Sequence, residues 1–318
     1  MVRLAIKKHI NKIAKTILFL YNNIGEIMDG ILVVDDGILV VDKEENYTSR
    51  DVVNIISKKL QTKKVGHTGT LDPMATGVLV VLIGKYTTLV ENITAYEKTY
   101  QATIELGLLT DTLDRTGNVL KDENVYFKED EIKEVLNSMV GYYEQEVPIY
   151  SAVKVNGKKL YEYARNGEKV TLPKRMVKVS EIALSSKITY KNNHVIFDIV
   201  TTVSKGTYIR ALINDIAKKL NTYGTMNSLR RIKQGVFDIK DAYKLEDILE
   251  DNYEFYPLEK CFNTYTVDVD DDLYFKIKNG RSLPNIYGQS EVLFKYNNKI
   301  IALYKGENNT LKMWKYLI

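Results

Sequence analysis

Asp72 is the side chain with the plainest chemical potential in this 318-residue chain. It stands in Gly66-His67-Thr68-Gly69-Thr70-Leu71-Asp72-Pro73-Met74-Ala75-Thr76-Gly77, a polar, glycine-rich loop with one carboxylate near its middle. Glycine at 66, 69 and 77 permits positive φ or close backbone approach, and Pro73 stiffens the turn directly after the carboxylate. Such a loop presents one ionised group to a ligand from a rigid mount. Taken alone, a loop aspartate is most often a turn or cap residue, and His67 reads as a packed or hydrogen-bonded histidine. Phosphate cradling is a poor reading, because neither this loop nor Gly84-Lys85-Tyr86-Thr87 supplies G-x-x-x-x-G-K-[ST]. The three histidines (His9, His67, His194) are scattered and Cys261 is the sole cysteine, so the sequence offers no metal-ligand cluster. The His-x-Glu and Pro-Cys-x-x-Cys pair of zinc deaminases is also missing.

The elements that must position Asp72 lie on either side of it. Residues 48–60 predict a helix with Val52, Val53, Ile56 and Leu60 on one face, and residues 78–83 predict a short buried strand. Further on, residues 99–106 read as a strand containing Tyr100, by itself a core or cross-strand aromatic. Thr110-Asp111-Thr112-Leu113-Asp114 brings two carboxylates close together, a pattern open to acid/base or metal work but first of all an Asx-turn. Residues 129–140 predict a scaffold helix with Ile132, Val135, Leu136, Met139 and Val140 on one face. Residues 194–204 alternate as a strand and lead into a helix whose apolar face is Ile209, Leu212, Ile213, Ile216 and Leu220. Arg210 falls in its first turn: a structural arginine would face solvent there, and a functional one would pair with a carboxylate. Residues 245–249 read as helical turns. Beyond Cys261, alternating stretches at 291–296, 300–304 and 311–317, separated by turn residues, predict a small antiparallel β unit.

With 45% hydrophobic and 27% charged residues, the chain can bury a real core and has room for one large domain and a small one. A single cysteine excludes an internal disulfide and fits a reducing cytoplasm. The net charge of +4 is a mild hint of a polyanionic partner, and its distribution says more. Residues 151–180 hold eight Lys/Arg against two acids, with Tyr150, Tyr161 and Tyr163 nearby. Cations track phosphates and rings stack on unpaired bases, although a solvated charged loop explains the composition equally well. Residues 1–27 combine basic side chains with Ile17-Leu18-Phe19-Leu20-Tyr21, a run too short to span a membrane and best read as a basic amphipathic helix. Then Asp29-Gly30-Ile31-Leu32-Val33-Val34-Asp35 is repeated residue for residue as Asp36-Gly37-Ile38-Leu39-Val40-Val41-Asp42.

The loop around Asp72 closely resembles the signature of the bacterial TruB family of tRNA pseudouridine synthases, whose Leu-Asp-Pro aspartate is the catalytic nucleophile. Other blocks follow in the family's order: Lys98-x-Tyr100, the T-D-T-x-D loop at 110–114, K-V-N-G-K-K-L-Y-E-Y-A-R-N-G at 154–167, S-K-G-T-Y-I-R at 204–210, and L-R-R-x-x-x-G at 229–235. The resemblance implies an α+β fold: a mixed, mainly antiparallel central sheet flanked by helices and loops, with a small C-terminal β domain of PUA-like kind. It divides the chain into an extension (1–36), a catalytic domain (37–255) with an RNA-binding insertion (151–180), and a tail (260–318). Only one copy of the repeat fits the family's first strand; the second, leading straight into Asp42-Lys43, fits better. Glu44-Glu45-Asn46 departs from the family's D-K-P-x-G and loosens a turn.

The activity implied is isomerisation of uridine 55 in the tRNA T loop to pseudouridine. In that reading Asp72 acts at the anomeric carbon, Arg210 pairs with it, and Tyr100 packs on the uracil and offers a route for proton transfer. Tyr208 and Leu229 line the base pocket, and His67 takes the vacated place in the loop or contacts the flipped nucleotide. Lys43, Lys98, Lys154, Lys158, Lys159, Tyr161, Arg165, Lys205, Arg230 and Arg231 contact RNA. No metal, cofactor, guide RNA, protein partner or membrane is implied, and the protein is expected to be a cytoplasmic monomer that binds the T stem-loop. Rival readings are an RNA-folding helper, a synthase acting on another RNA, and a carbohydrate hydrolase. The last needs a second carboxylate across the scissile bond, which no motif supplies.

Overall fold

The structure, a computed structural model, describes residues 36–262 and 264–317. The expected N-terminal helix and the first copy of the repeat lie outside these residues. The second copy forms strand β1 (Gly37–Lys43), which pairs antiparallel with β3 (Thr76–Ile83) in continuous register from Gly37 opposite Ile83 to Lys43 opposite Gly77. Both strands are apolar at nearly every position because both of their faces are covered. Ile38, Val40, Val78, Val80 and Leu82 point to one side, and Leu39, Val41, Leu79, Val81 and Ile83 to the other. The period of two in a strand makes this division automatic. One side packs on helix α1 (Ser49–Lys59) through Val52 and Ile56, and the other packs on the C-terminal sheet.

Helix α1 starts where its sequence says it should. The Asp51 amide donates to the Thr48 hydroxyl at 3.1 Å, and the Thr48 amide donates back to the Asp51 carboxylate at 2.8 Å. This reciprocal cap, with Lys58 and Lys59 in the last turn, suits the helix dipole.

The main sheet contains seven strands in continuous order: β1, β3, β13 (Gly224–Gln234), β4 (Lys98–Leu106), β12 (His194–Val203), β10 (Lys174–Leu184) and β7 (Gly141–Glu146). Only the β3–β13 pair is parallel; the other neighbours run antiparallel, so the sheet is mixed and mainly antiparallel as expected. Short strand β2 (Val65–His67) adds to β3 and leads into the Asp72 loop. Strand β4 alternates, with Tyr100, Ala102, Ile104 and Leu106 inward. Against them pack α5 (Ile209–Lys219) through Leu212, Ile213 and Ile216, and α3 (Glu129–Ser138) through Ile132 and Leu136. Two shorter helices, α2 (Val90–Thr94) and α4 (Leu160–Arg165), precede α3 and α5 respectively in the chain. Val140, expected on the apolar face of α3, lies beyond its end and is 51% exposed.

A hairpin of β5 (Leu108–Thr110) and β6 (Val119–Asp122) carries the 110–118 loop, and β8 (Lys154–Val155) with β9 (Lys158–Lys159) opens the basic insertion. Short strand β11 (Thr189–Lys191) pairs with β12, β14 (Phe237–Asp238) pairs with β13, and α6 (Leu245–Leu249) closes the catalytic part.

The tail forms a five-stranded sheet ordered β15 (Tyr265–Asp268), β17 (Glu291–Tyr296), β18 (Lys299–Glu307), β19 (Thr310–Tyr316) and β16 (Leu283–Pro284). It is of PUA-like kind, but it corrects the sequence reading in two ways. Strand β15 joins β17 in parallel, and a helix, α7 (Asp271–Lys278), precedes β16. The helix had a legible start: the Asp270 carboxylate caps the Leu273 amide at 2.8 Å, and two more acids fill the first turn. Leu293, Ile300, Leu303 and Leu317 share a core with Ile38, Val78 and Leu82, so the tail also roofs the catalytic sheet.

Candidate active site

The Asp72 loop is held by its backbone on both sides of the carboxylate. The Leu71 amide donates to Ser49 Oγ at 2.8 Å, and that hydroxyl lies 3.3 Å from the Leu71 carbonyl. The Pro73 carbonyl accepts from the Asn46 amide at 2.9 Å and from Lys43 Nζ at 3.3 Å, and the Gly69 carbonyl accepts from Arg231 Nη2 at 3.0 Å. Gln234 Nε2 donates to Thr68 Oγ1 at 2.6 Å. Of the three glycines expected to need special geometry, only Gly77 has a positive φ, +100°, and a Cβ there would fall 2.2 Å from the Arg231 carbonyl of the parallel neighbour strand. These supports come from β1, α1 and β13, so the carboxylate is mounted on the sheet itself.

Arg210 meets Asp72 from the start of α5. Its Nε lies 3.0 Å from Asp72 Oδ2 and its Nη2 3.4 Å from Oδ1, a two-pronged pair. The guanidinium also donates from Nη1 to the Thr112 carbonyl at 3.0 Å and from Nη2 to the Tyr150 carbonyl at 3.1 Å, and Asp114 Oδ2 stands 3.8 Å from Nε. Arg210 is only 6% exposed, so the solvent-facing reading of this arginine is excluded. Asp111 and Asp114 are turn residues: Asp114 Oδ1 accepts from the Thr116 amide at 3.0 Å and Asp111 Oδ1 from the Asn118 amide at 2.9 Å. Asp114 additionally gives Arg210 a second carboxylate.

Asp72, Tyr100, Tyr208, Arg210 and Leu229 line one cleft of about 550 Å³. Tyr150, Tyr161, Lys98, Lys205 and Arg231 line it too. The tyrosines therefore combine two functions the sequence reading kept apart: Tyr100, 7% exposed, belongs to the core cluster and also forms the cleft wall. Tyr208 is held by Gln145, whose Oε1 accepts from the Tyr208 amide at 2.8 Å while Nε2 lies 3.2 Å from the Tyr208 carbonyl. Arg175 lies over the Tyr208 ring, 5.6 Å from its centroid.

His67 does not line the cleft. Its Nδ1 accepts from the Gly69 amide at 3.3 Å, and burial, then Arg50 and Arg231, hold its pKa below the usual histidine value, which favours the neutral ring. Three of the cations expected on RNA, Lys43, Lys98 and Arg231, are buried. Lys43 is fully buried, donating to the Glu44, Tyr47 and Pro73 carbonyls; burial pulls its pKa to about 8, with Asp72 the largest opposing influence. Arg231, 1% exposed, donates to the Val78 and Gly69 carbonyls. Lys43 and Arg231 brace the Asp72 loop through its backbone, and Arg231 also reaches the cleft wall. Arg230 makes a double contact with Asp42 at 2.7 and 3.0 Å.

The basic insertion keeps Lys154 and Arg165 exposed, whereas Lys158 pairs with Glu168 at 2.6 Å and lies over the Tyr163 ring. Lys159 and Arg165 flank Tyr161, 5.4 and 5.2 Å from its ring centroid. Tyr163 donates to the Val155 carbonyl at 3.0 Å and is a clamp within the insertion.

Ser49, Gln145 and Gln234 were not singled out from sequence. Uncharged side chains that hold a loop through its backbone carry no motif of their own, though Gln145 opens the segment 145–154 that leads to the insertion. Among the described residues no group of three or more His, Cys, Asp or Glu side chains is placed to hold a metal ion, and no helix is long and apolar enough to cross a membrane.

Comparison with known proteins gives the family. The family model described as TruB family pseudouridylate synthase (N terminal domain) matches residues 57–209, and the tRNA pseudouridylate synthase B C-terminal domain matches residues 210–263. Relatives named tRNA pseudouridine synthase B include those of Lactobacillus acidophilus, 41% identical over 88% of this chain and 95% of that protein, and Caldicellulosiruptor saccharolyticus, 46% identical over 80% and 84%. A Cbf5–Nop10–Gar1 complex contains a chain of the same fold, with a TM-score of 0.65 at 24% identity over 89% of this chain and 85% of that one. The chain belongs to the TruB family of pseudouridylate synthases, and it is an enzyme of that kind.

Proposed function

We propose that this enzyme isomerises uridine to pseudouridine at position 55 in the T loop of tRNA, with Asp72 as nucleophile toward a flipped-out nucleotide and with no cofactor or guide RNA. The observation that carries the reading is the Asp72–Arg210 pair at 3.0 Å on the wall of a cleft that Tyr100, Tyr208 and Leu229 also line. In the reaction the C1′–N1 bond breaks, a C1′–C5 bond forms, and a proton leaves C5 while N1 gains one. No redox change occurs; Asp72 supplies the carboxylate at the anomeric carbon, and Tyr100 offers a route for the C5 proton.

Asp72 is 35% exposed on its side chain, open enough to meet a substrate while Arg210 holds its orientation from behind. A T-loop base must first leave its stack, at a cost of about a few kcal/mol, and ring contacts to Tyr100 and Tyr208 offset that cost. The basic insertion supports a stand-alone substrate grip, because guide-dependent members of the wider family lack a similar segment. The names of the relatives support tRNA as the substrate, and a tRNA-modifying enzyme with one buried free cysteine fits the cytoplasm.

The test is a defined T-arm stem-loop transcript incubated with the purified protein, with pseudouridine mapped by position. Product at the T-loop uridine supports the reading. Product at other uridines alone would transfer the activity to another RNA.

A further inference from the structure

Three cations line the cleft that holds Asp72 without pairing to an acid. Lys98 is 7% exposed and Arg231 1%, and Lys205 lines the same wall. Among the described residues none of the three makes an ion pair, and the cleft's carboxylate, Asp72, is already engaged by Arg210. Burying a cation is costly unless a counter-charge answers it, and here only neutral carbonyls do. Lys98 Nζ donates to the Tyr96 carbonyl at 2.7 Å and the Thr94 carbonyl at 2.9 Å, which leaves its third N–H unassigned. Arg231 uses Nε on the Val78 carbonyl and Nη2 on the Gly69 carbonyl, while Nη1 has only a 3.5 Å contact with Tyr100 Oη.

Both unspent donors flank Gly69. A Cβ on that residue would stand 3.4 Å from Arg231 Nη1 and 3.5 Å from Lys98 Cε, so the missing side chain leaves the two cations uncovered beside the loop. The pKa of Lys98, lowered to about 8 by burial and then by Arg231 and Lys205, agrees with a site of excess positive charge. Because both of its hydrogen bonds go to carbonyl acceptors, Lys98 is placed as a donor and is poorly placed as a base.

We infer that Lys98 and Arg231, beside Gly69, and Lys205, on the same cleft, form a subsite for the phosphodiester next to the target nucleotide. The inference rests on the RNA-isomerase reading above and adds to it: the base is received by the tyrosines, and the backbone charge is received a few ångströms away by these cations. A uracil carbonyl would satisfy one N–H but would leave the charge excess unanswered; a phosphodiester answers both.

The experiment uses T-arm stem-loops with one uncharged methylphosphonate linkage, placed directly 5′ or 3′ of the target uridine or in the distal stem. Each is assayed for Kd and kcat/KM with wild type, Lys98→Gln and Lys205→Gln. One flanking linkage should cost about tenfold in affinity, and the distal one far less. On RNA with that linkage already neutral, the lysine variants should lose little more, the non-additivity expected of groups in contact. Losses that simply multiply, or flanking linkages no more sensitive than the distal one, would overturn the subsite. If Lys98→Gln does not fold by thermal melt, Lys205→Gln decides alone. Absence of turnover on the all-phosphate hairpin would instead sink the isomerase reading, and this subsite with it.

Discussion

Replacing Arg210 by Met keeps an unbranched apolar stem and removes the charge, and the structure sets the size of the result. The substitution takes the counter-charge from two carboxylates and the donors from the Thr112 and Tyr150 carbonyls. Breaking a buried ion pair from one side costs about 3–5 kcal/mol. The two acids do not share that cost equally: the Asp72 side chain is 35% exposed and is partly answered by water, whereas that of Asp114 is 7% exposed. We therefore expect a loss of about 3 kcal/mol in urea unfolding, mostly from Asp114. Asp114→Asn in the same background removes the stranded charge. Its Oδ1 can still accept from Thr112 Oγ1, Thr116 Oγ1 and the Thr116 amide, which lie 2.8, 2.6 and 3.0 Å away. The double variant should recover about 1–2 kcal/mol, yet stay at least about a thousandfold below wild type in kcat, because Asp72 remains unaimed. A double variant no more stable than Arg210→Met would refute the assignment of the cost to Asp114. Near-normal kcat in either would refute the role of Arg210.

Three further outcomes follow from the supports around the site. Ser49→Ala deletes both contacts to the Leu71 backbone and should cost about 1–2 kcal/mol in stability, with kcat per folded molecule reduced; an unchanged kcat per folded molecule would contradict this. Gln145→Leu frees the Tyr208 amide and carbonyl and should lower stability by about 2 kcal/mol and weaken hairpin binding, while Gln145→Glu, which keeps the acceptor, should be milder; the ranking is read from urea melts and Kd. His194 reports on pH. Burial alone would lower its pKa, but hydrogen bonds to Glu105 at 2.6 Å and Asp122 at 3.1 Å raise it above 6.5 overall. A raised folded-state pKa gives stability that is complete below about 6.5 and disappears as pH climbs through the raised value. His194→Gln should therefore lose more stability at pH 5.5 than at pH 8.5, and parallel curves would contradict this.

Much of the site was legible because catalytic side chains come with distinctive neighbours. The loop around Asp72, the segment 204–210 and the 229–235 block each announce themselves, and the fold brings Asp72, Tyr208, Arg210 and Leu229 into one cleft from β13, α5 and the loop before β3. Burial of cations was not legible. Lys43 and Arg231 look like phosphate contacts in a linear sequence, since Asp42-Lys43 and Leu229-Arg230-Arg231 advertise charge and say nothing of depth. They lie inside because β1 is covered on both faces and β13 is an interior strand, and both approach the Asp72 loop. Uncharged clamps such as Ser49 and Gln145 escaped notice for the opposite reason: their work is a pair of hydrogen bonds to backbone, which no spacing encodes. In the tail, alternation gave the three long strands, but parallel addition of β15 depends on a crossover that contains α7, and periodicity does not reveal chain order in space.

The most direct measurement is positional mapping of pseudouridine in an unmodified T-arm stem-loop after incubation with wild type and with Asp72→Asn, no other macromolecule being added. The account predicts product at the T-loop uridine with wild type and none with the variant, while the variant still binds the hairpin. Product formed by Asp72→Asn at a rate near wild type, or a wild type that binds the hairpin without converting it, would contradict the account.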